Sequence, residues 1–365
     1  MKKIIIGIVV FTFVAVFSGR VWYLSHPKEE QNVIKIGAIL PLTGNMSYLG
    51  EGYRKCILMA VDKMNSDKNN RYRYELIVED GGTDVKKAIS IYNKMKSIDK
   101  IDAIMTTISG QALALKEFTA KDKILQIATI ANYSVSDLKY NFVNFVSMDD
   151  LTHELVSAFK KSKIEKVSLV FSNTADSIAI QNKLEAALTN NNIKILSTLF
   201  LNADEKNVNM AALKIKEENP DLLFTRMYEP VQSIFGLELR RINFKKPVST
   251  FAMFSFAQDK GIFEGERFLE FSLGQEEFQN KYRQLYNEEL QSSVSMSYDD
   301  IILIMNLIEK YGRPSEQSDI YKNLKDVIEH SQGKNGLLQM DAEGIISYPL
   351  VWKKIENGKV VDIEE

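Results

Sequence analysis

The residues best suited to hold a polar ligand sit in five short loops, each following an apolar, strand-like run. Thr107-Ile-Ser-Gly-Gln111 leads straight into a helical pattern. There the Ser109 hydroxyl and the free N–H groups of Ser109 and Gly110 would suit a carboxylate or another acceptor. The same serine would serve equally well as a plain helix N-cap. Thr129-Ile-Ala-Asn-Tyr133 is polar and turn-like, and Asn173-Thr-Ala-Asp-Ser177 opens a further helix. Arg226-Met-Tyr-Glu-Pro230 follows another strand, and the first loop is Pro41-Leu-Thr-Gly-Asn-Met-Ser-Tyr-Leu-Gly50. Each is ordinary loop chemistry taken singly. Five at equivalent strand ends point to a shared cleft, because open α/β sheets bind ligands at the carboxyl ends of their strands.

Catalytic patterns are missing from the sequence. It contains no G-x-S-x-G elbow, no G-x-x-x-x-G-K-[ST] loop, no strand-linked G-x-G-x-x-G and no H-E-x-x-H. Asp299-Asp300 are adjacent acids at the predicted start of a helix, where capping is the simpler role. The one cysteine, Cys56, lies in an apolar helical run, so no internal disulfide can form. His26, His153 and His330 have no ligand spacing. No metal or cofactor is expected, and no enzyme.

The elements that must position these loops alternate strictly. Val33–Leu40, Tyr74–Asp80, Ile101–Thr107 and Ile124–Ala128 read as strands, separated by helical stretches at 51–65, 85–97 and 111–121. The rhythm restarts with a helix at 151–161, strands at 166–171, 193–201 and 221–225, and helices at 177–190, 208–218 and 231–243. This is the signature of βαβ units and parallel sheets, here in two lobes. Three helical stretches follow at 275–290, 297–311 and 318–330. The tail forms two short strands around Asn357-Gly358, a strong hairpin signal.

Bulk properties agree. A chain of 365 residues, 45% hydrophobic and 26% charged, is long enough for two domains. A net charge of −2 without any basic block argues against a nucleic-acid partner. Met1-Lys-Lys3 followed by an uncharged stretch from Ile4 to Phe17 resembles a secretory signal peptide. Because apolar residues resume at Val21-Trp-Tyr-Leu24, residues 1–25 also suit a membrane anchor. Either reading places the rest outside the cytoplasm.

At this point the sequence resembles the type I periplasmic binding proteins, in particular the branched-chain amino-acid group that serves ABC transporters. The resemblance is carried by Ile34-Lys-Ile-Gly-Ala-Ile-Leu-Pro-Leu-Thr-Gly44, Gly50-Glu-Gly52 and Ala60-Val-Asp-Lys-Met-Asn65. Further matches are Glu79-Asp80, Asp84–Ala88, Gln339-Met-Asp-Ala-Glu-Gly344 and Asn357-Gly-Lys359. It implies two Rossmann-like lobes with parallel central sheets and a three-crossover hinge. Lobe 1 would hold residues 33–147 and 274–334, lobe 2 residues 148–273 and 335–365. The crossovers would fall near 146–150, 271–274 and 333–338. It also implies a small-molecule ligand captured by hinge closure, and an inner-membrane ABC permease as partner. A tethered sensory or accessory module is the alternative.

By that resemblance Ser109 would help hold a ligand carboxylate, Ile130 would offer a backbone group, and Asn132 would stand where a threonine is usual. Tyr228 would cover the ligand. Asp176 stands where an aromatic residue is common, and Leu49 replaces a first-loop tyrosine. The acid that pairs with a ligand ammonium is missing from Phe251-Ala-Met-Phe-Ser-Phe256. Either Asp176 takes over that pairing or the ligand is not an α-amino acid. Arg226 would meet a second anionic group or form a surface salt bridge.

Overall fold

The computed structural model describes residues 32–202, 205, 208–272, 274–330, 332–333 and 336–363. Residues 1–25, read as signal or anchor, lie outside the described residues. Among the described residues no helix is long and apolar enough to cross a membrane.

Two parallel sheets carry the fold. The first begins with β1 (Asn32–Leu40), β2 (Tyr72–Asp80), β3 (Ala103–Thr106), β4 (Leu125–Ala128) and β5 (Asn141–Phe145). β3 and β4 are buried along their whole length, as strands covered on both faces must be. The helices between them are α1 (Ser47–Ser66), α2 (Val85–Lys94) and α3 (Ser109–Asp122). α1 turns Leu49, Tyr53, Cys56, Ile57 and Ala60 inward at the three- and four-residue spacing of one helix face. Cys56 is fully buried there.

The chain crosses over at residues 146–147. The second lobe follows with α4 (Met148–Lys161), β6 (Lys166–Ser172), α5 (Ala175–Asn190), β7 (Lys194–Leu201) and α6 (Asn209–Glu218). It continues through β8 (Leu222–Arg226), α7 (Val231–Arg241) and β9 (Val248–Thr250). These strands form a parallel sheet in the order β7-β6-β8-β9. β10 (Arg267–Phe271) meets this lobe through a bridge between Phe251 and Leu269. The chain then returns to the first lobe as α8 (Glu276–Tyr286), α9 (Ser292–Tyr311) and α10 (Ile320–Glu329), with α9 packed along α1.

Two expectations are corrected here. Residues 339–347 do not belong with the second lobe. After a short pair, β11 (Gln332–Gly333) and β12 (Gly336–Leu337), β13 (Gln339–Met340) and β14 (Ile345–Ser347) join the first sheet, whose order is β13-β14-β5-β4-β3-β1-β2. Ile345 and Ile346 run parallel to Val143 and Asn144 and are buried, covering what would be an exposed edge at β5. The last crossover is therefore at 348–349 rather than 333–338. β15 (Leu350–Glu356) pairs with β10, antiparallel, and β16 (Lys359–Asp362) pairs back onto β15 across the Asn357-Gly358 turn, where both residues have positive φ. Secondly, Asp299 and Asp300 do not open a helix. α9 begins at Ser292, several residues earlier, and places both acids in its interior, 2% and 0% exposed.

The first loop is held by contact rather than by hydrogen bonding alone. A Cβ on Gly50 would lie 2.2 Å from the Pro41 carbonyl oxygen, a backbone atom with no freedom to turn aside. Gly50→Ala is expected to lower the unfolding free energy in urea by about 1–3 kcal/mol, the usual cost of overpacking. A change within experimental error would show that the loop can give way.

Candidate functional site

The strand-end loops of both lobes converge on a cavity of about 170 Å³. Pro41, Met46 and Leu49 line it from the first loop, Ser109 and Gly110 from the head of α3, and Thr129 and Ile130 from the end of β4. The second lobe contributes Thr174 and Asp176 at the head of α5, then Arg226 and Tyr228 after β8. Most of the wall is apolar: Phe145, Met253, Phe256, Phe271 and Met296 close it. The lobes also touch directly, with the Tyr48 ring edge-on to Phe256 at 5.5 Å between centroids. A second cavity, about 400 Å³, is lined by Ser255 and the buried pair Glu270 and Lys353, 3.5 Å apart. None of the predicted site residues reaches it.

Ser109 is not a cap. Ile108 holds the N-cap position and offers no side-chain hydrogen bond. The first bond of α3 runs from the Ala112 N–H to the Ile108 carbonyl at 2.9 Å. The N–H groups of Ser109, Gly110 and Gln111 are thus left at the positive end of the helix dipole, unspent. Nearby, Thr107 Oγ1 and Ser293 Oγ are buried without a hydrogen-bond partner among the described residues. Buried polar atoms are almost always satisfied, so both hydroxyls are available to a water or a ligand in the cavity they line.

The charged end of the cavity holds a buried ion pair. Arg226 is 3% exposed and donates to Asp176 Oδ2 at 2.8 Å and to the Ser177 hydroxyl at 3.1 Å. Tyr228 donates its hydroxyl to the same Asp176 oxygen, and Thr174 Oγ1 donates to Asp176 Oδ1 at 2.7 Å. Both oxygens of Asp176 therefore already accept hydrogen bonds, and its charge is paired with Arg226. Burial alone would push this carboxyl upward, but the Arg226 charge and the Tyr228 and Thr174 hydrogen bonds hold it below the ordinary range. Burial likewise disfavours the Arg226 cation, and Tyr228 and Asp176 more than restore it. Burial raises the Tyr228 hydroxyl, so it stays protonated and a donor. Arg226 Nε is buried with no partner among the described residues.

The predicted residues fare differently. Ser109, Gly110, Ile130, Asp176, Arg226 and Tyr228 are brought together. Asn132, expected at the ligand, is not among the residues that line the cavity. Its Oδ1 accepts from the Ser134 N–H at 3.2 Å and the Ser134 hydroxyl at 2.7 Å, capping the 3₁₀ turn Tyr133–Val135. Arg226 does form a salt bridge, but a buried one. Thr129, Ser293 and Met296 were missed: Thr129 only marked the start of a loop, and Ser293 and Met296 lie before the helix start read from the sequence.

Removing Asp176 would strand a buried guanidinium. Asp176→Ala is expected to cost about 3–5 kcal/mol in urea unfolding. Adding Arg226→Met should recover part of that loss. A double variant no more stable than Asp176→Ala would contradict the ion-pair account.

Comparison with known proteins places this geometry. A family model described as periplasmic binding protein matches residues 33–341. The Leu/Ile/Val-binding protein BraC3 of Rhizobium johnstonii is 22% identical over 213 residues, 56% of this chain and 58% of that protein. The match thus spans a little over half of that relative's length. Among solved structures, a leucine-binding protein LivK from Thermotoga maritima superposes with a TM-score of 0.81 at 18% identity, covering 91% of this chain and 98% of that one. A solute-binding protein from R. palustris in complex with benzoate gives 0.79 at 15% identity, covering 91% and 96%. LivJ from Streptococcus pneumoniae, in complex with isoleucine, gives 0.76 at 19% identity, covering 91% and 100%. With two parallel-sheet lobes, a cavity between them and a family match over most of its length, the chain belongs to the type I periplasmic binding proteins.

Proposed function

We propose that this protein is the extracytoplasmic solute receptor of an ABC importer, closing its two lobes over a small molecule that carries a carboxylate and an apolar body but no ammonium group. Lobe 1 comprises residues 33–147, 274–334 and the returning strands to 347; lobe 2 comprises 148–273 and 350–363. A permease in the inner membrane is the partner, and the reading includes no catalytic step.

The observation that carries this is the state of Asp176. It is the one acid lining the cavity among the described residues, and Arg226, Tyr228 and Thr174 already take both its oxygens. An ammonium entering here would meet a guanidinium and find no free carboxylate, at a cost of several kcal/mol. The unspent groups favour an acceptor instead: the N–H groups at the head of α3 and the Ser109 hydroxyl. The apolar wall supports a hydrocarbon body. Relatives of this fold have been solved with isoleucine and with benzoate, which share a carboxylate and an apolar body. Closure by a hinge is supported by the three crossovers and by the cavity drawing its wall from both lobes.

Thermal-shift measurement against benzoate, 4-hydroxybenzoate, 4-methylpentanoate and the branched-chain amino acids tests the reading. A carboxylate lacking an ammonium should give the largest stabilisation, reaching about 2.7 kcal/mol at a hundredfold excess over its Kd. Ser109→Ala should weaken that ligand by roughly 1.5–3 kcal/mol, the scale of a hydrogen bond to a charged group. No shift with any carboxylate, or unaltered affinity in Ser109→Ala, would show that the site has been misassigned.

A further inference from the structure

Behind the cavity lies a carboxylate that the site described above does not use. Asp300, in the third turn of α9, is 0% exposed. It accepts a hydrogen bond from Thr129 Oγ1 at 2.5 Å and another from Asn144 Nδ2. Thr129 lines the cavity. Asn144 sits on β5 just before the first crossover and also donates to the Tyr348 hydroxyl, at 2.8 Å, in the last crossover. One buried acid therefore connects the ligand loop to two of the three hinge strands.

The groups facing Asp300 carry no positive charge. Tyr53 approaches from α1 and Tyr348 from the last crossover, and each feels the negative charge of Asp300. Asp299, its neighbour on α9, adds a second acid that acts on Tyr348. From the second lobe Arg226 and Asp176 act on Tyr53, and they are paired with one another. Asp300 forms no salt bridge among the described residues. Burial raises it from the usual carboxylate range to about 7, against the opposing effect of its hydrogen bonds from Thr129 and Asn144.

A threonine hydroxyl has one hydrogen to give and lone pairs to receive. While Asp300 is ionised it can only accept, so Thr129 commits its hydrogen to Asp300 and shows lone pairs to the cavity. Those repel an anion. Once Asp300 is protonated, its own O–H can donate to Thr129 Oγ1, and the threonine hydrogen is released to turn toward the cavity. The other Asp300 oxygen still accepts from Asn144, so the link to the hinge survives. We propose that Asp300 is a positioning residue that takes up a proton from solvent as an anionic ligand binds, converting Thr129 from an acceptor into a donor. The inference rests on the carboxylate reading above. A negative ligand entering beside Thr129 disfavours the ionised acid further, so binding and protonation reinforce each other.

Calorimetric titration of the protein with benzoate and with 4-methylpentanoate, from pH 6 to 8.5 in buffers of different ionisation enthalpy, tests it. Proton uptake should approach one per ligand at pH 8, and affinity should fall by up to tenfold per pH unit above about 7. In Asp300→Asn the amide can donate to Thr129 and accept from Asn144, so uptake should vanish and the pH profile should become flat. Thr129→Ser should keep the uptake. Wild-type binding with no proton uptake, or uptake that persists in Asp300→Asn, overturns the inference and leaves the carboxylate reading standing. Failure of both acids to bind overturns the carboxylate reading and this inference with it.

Discussion

A guanidinium that is almost wholly removed from water must be answered by a carboxylate at hydrogen-bond distance, because an uncompensated buried charge costs several kcal/mol. Arg226 is such a group, and Asp176 is its answer. The pair consumes the cavity's acid before any ligand arrives. It also pins the head of α5 to the loop after β8, since Arg226, Tyr228 and Thr174 all donate to Asp176 and Arg226 donates to Ser177 as well. The Arg226–Asp176 pair thereby leaves its part of the second-lobe face electrically neutral. On the opposite face the first turn of α3 presents N–H groups that nothing among the described residues satisfies.

The division of labour between the lobes follows. The first lobe supplies directed donors at the head of α3 and a hydroxyl at Thr129 whose polarity Asp300 can set. The second lobe supplies a neutral lid: Tyr228, Met253 and Phe256, with Phe256 meeting the Tyr48 ring across the gap. The crossovers lie against the same space. Phe145 and Phe271, at the first and second of them, line the cavity and pack edge-on at 5.3 Å, and Tyr348 in the third packs on Phe271 at 6.4 Å. The cavity wall and the crossovers thus share one set of aromatic contacts.

The fold was legible because its signals are local. Apolar strands alternating with helices of ordinary length dictate parallel sheets, and Asn357-Gly358 dictates a hairpin. The first loop and the head of α3 could be read for the same reason, and Ser109 and Gly110 do line the cavity. What escaped depends on contacts far apart in the chain. Asp176 and Arg226 are 50 residues apart, and Thr129 and Asp300 are 171 apart. Asp299-Asp300 resembles a helix start by composition, whereas the helix begins at Ser292, several residues earlier. Residues 339–347 form strands too short to announce which sheet they join. Asn132 has the right chemistry for a site and spends it on its own turn.

The most direct test compares two molecules that differ by a single group. Calorimetric titration with 4-methylpentanoate and with L-leucine, which share one hydrocarbon body and one carboxylate, isolates the ammonium. With Asp176 already held by Arg226, the acid should bind more tightly than the amino acid by on the order of 100-fold. Tighter binding of L-leucine would contradict the account, because it would require a free carboxylate in a cavity whose acid is already paired.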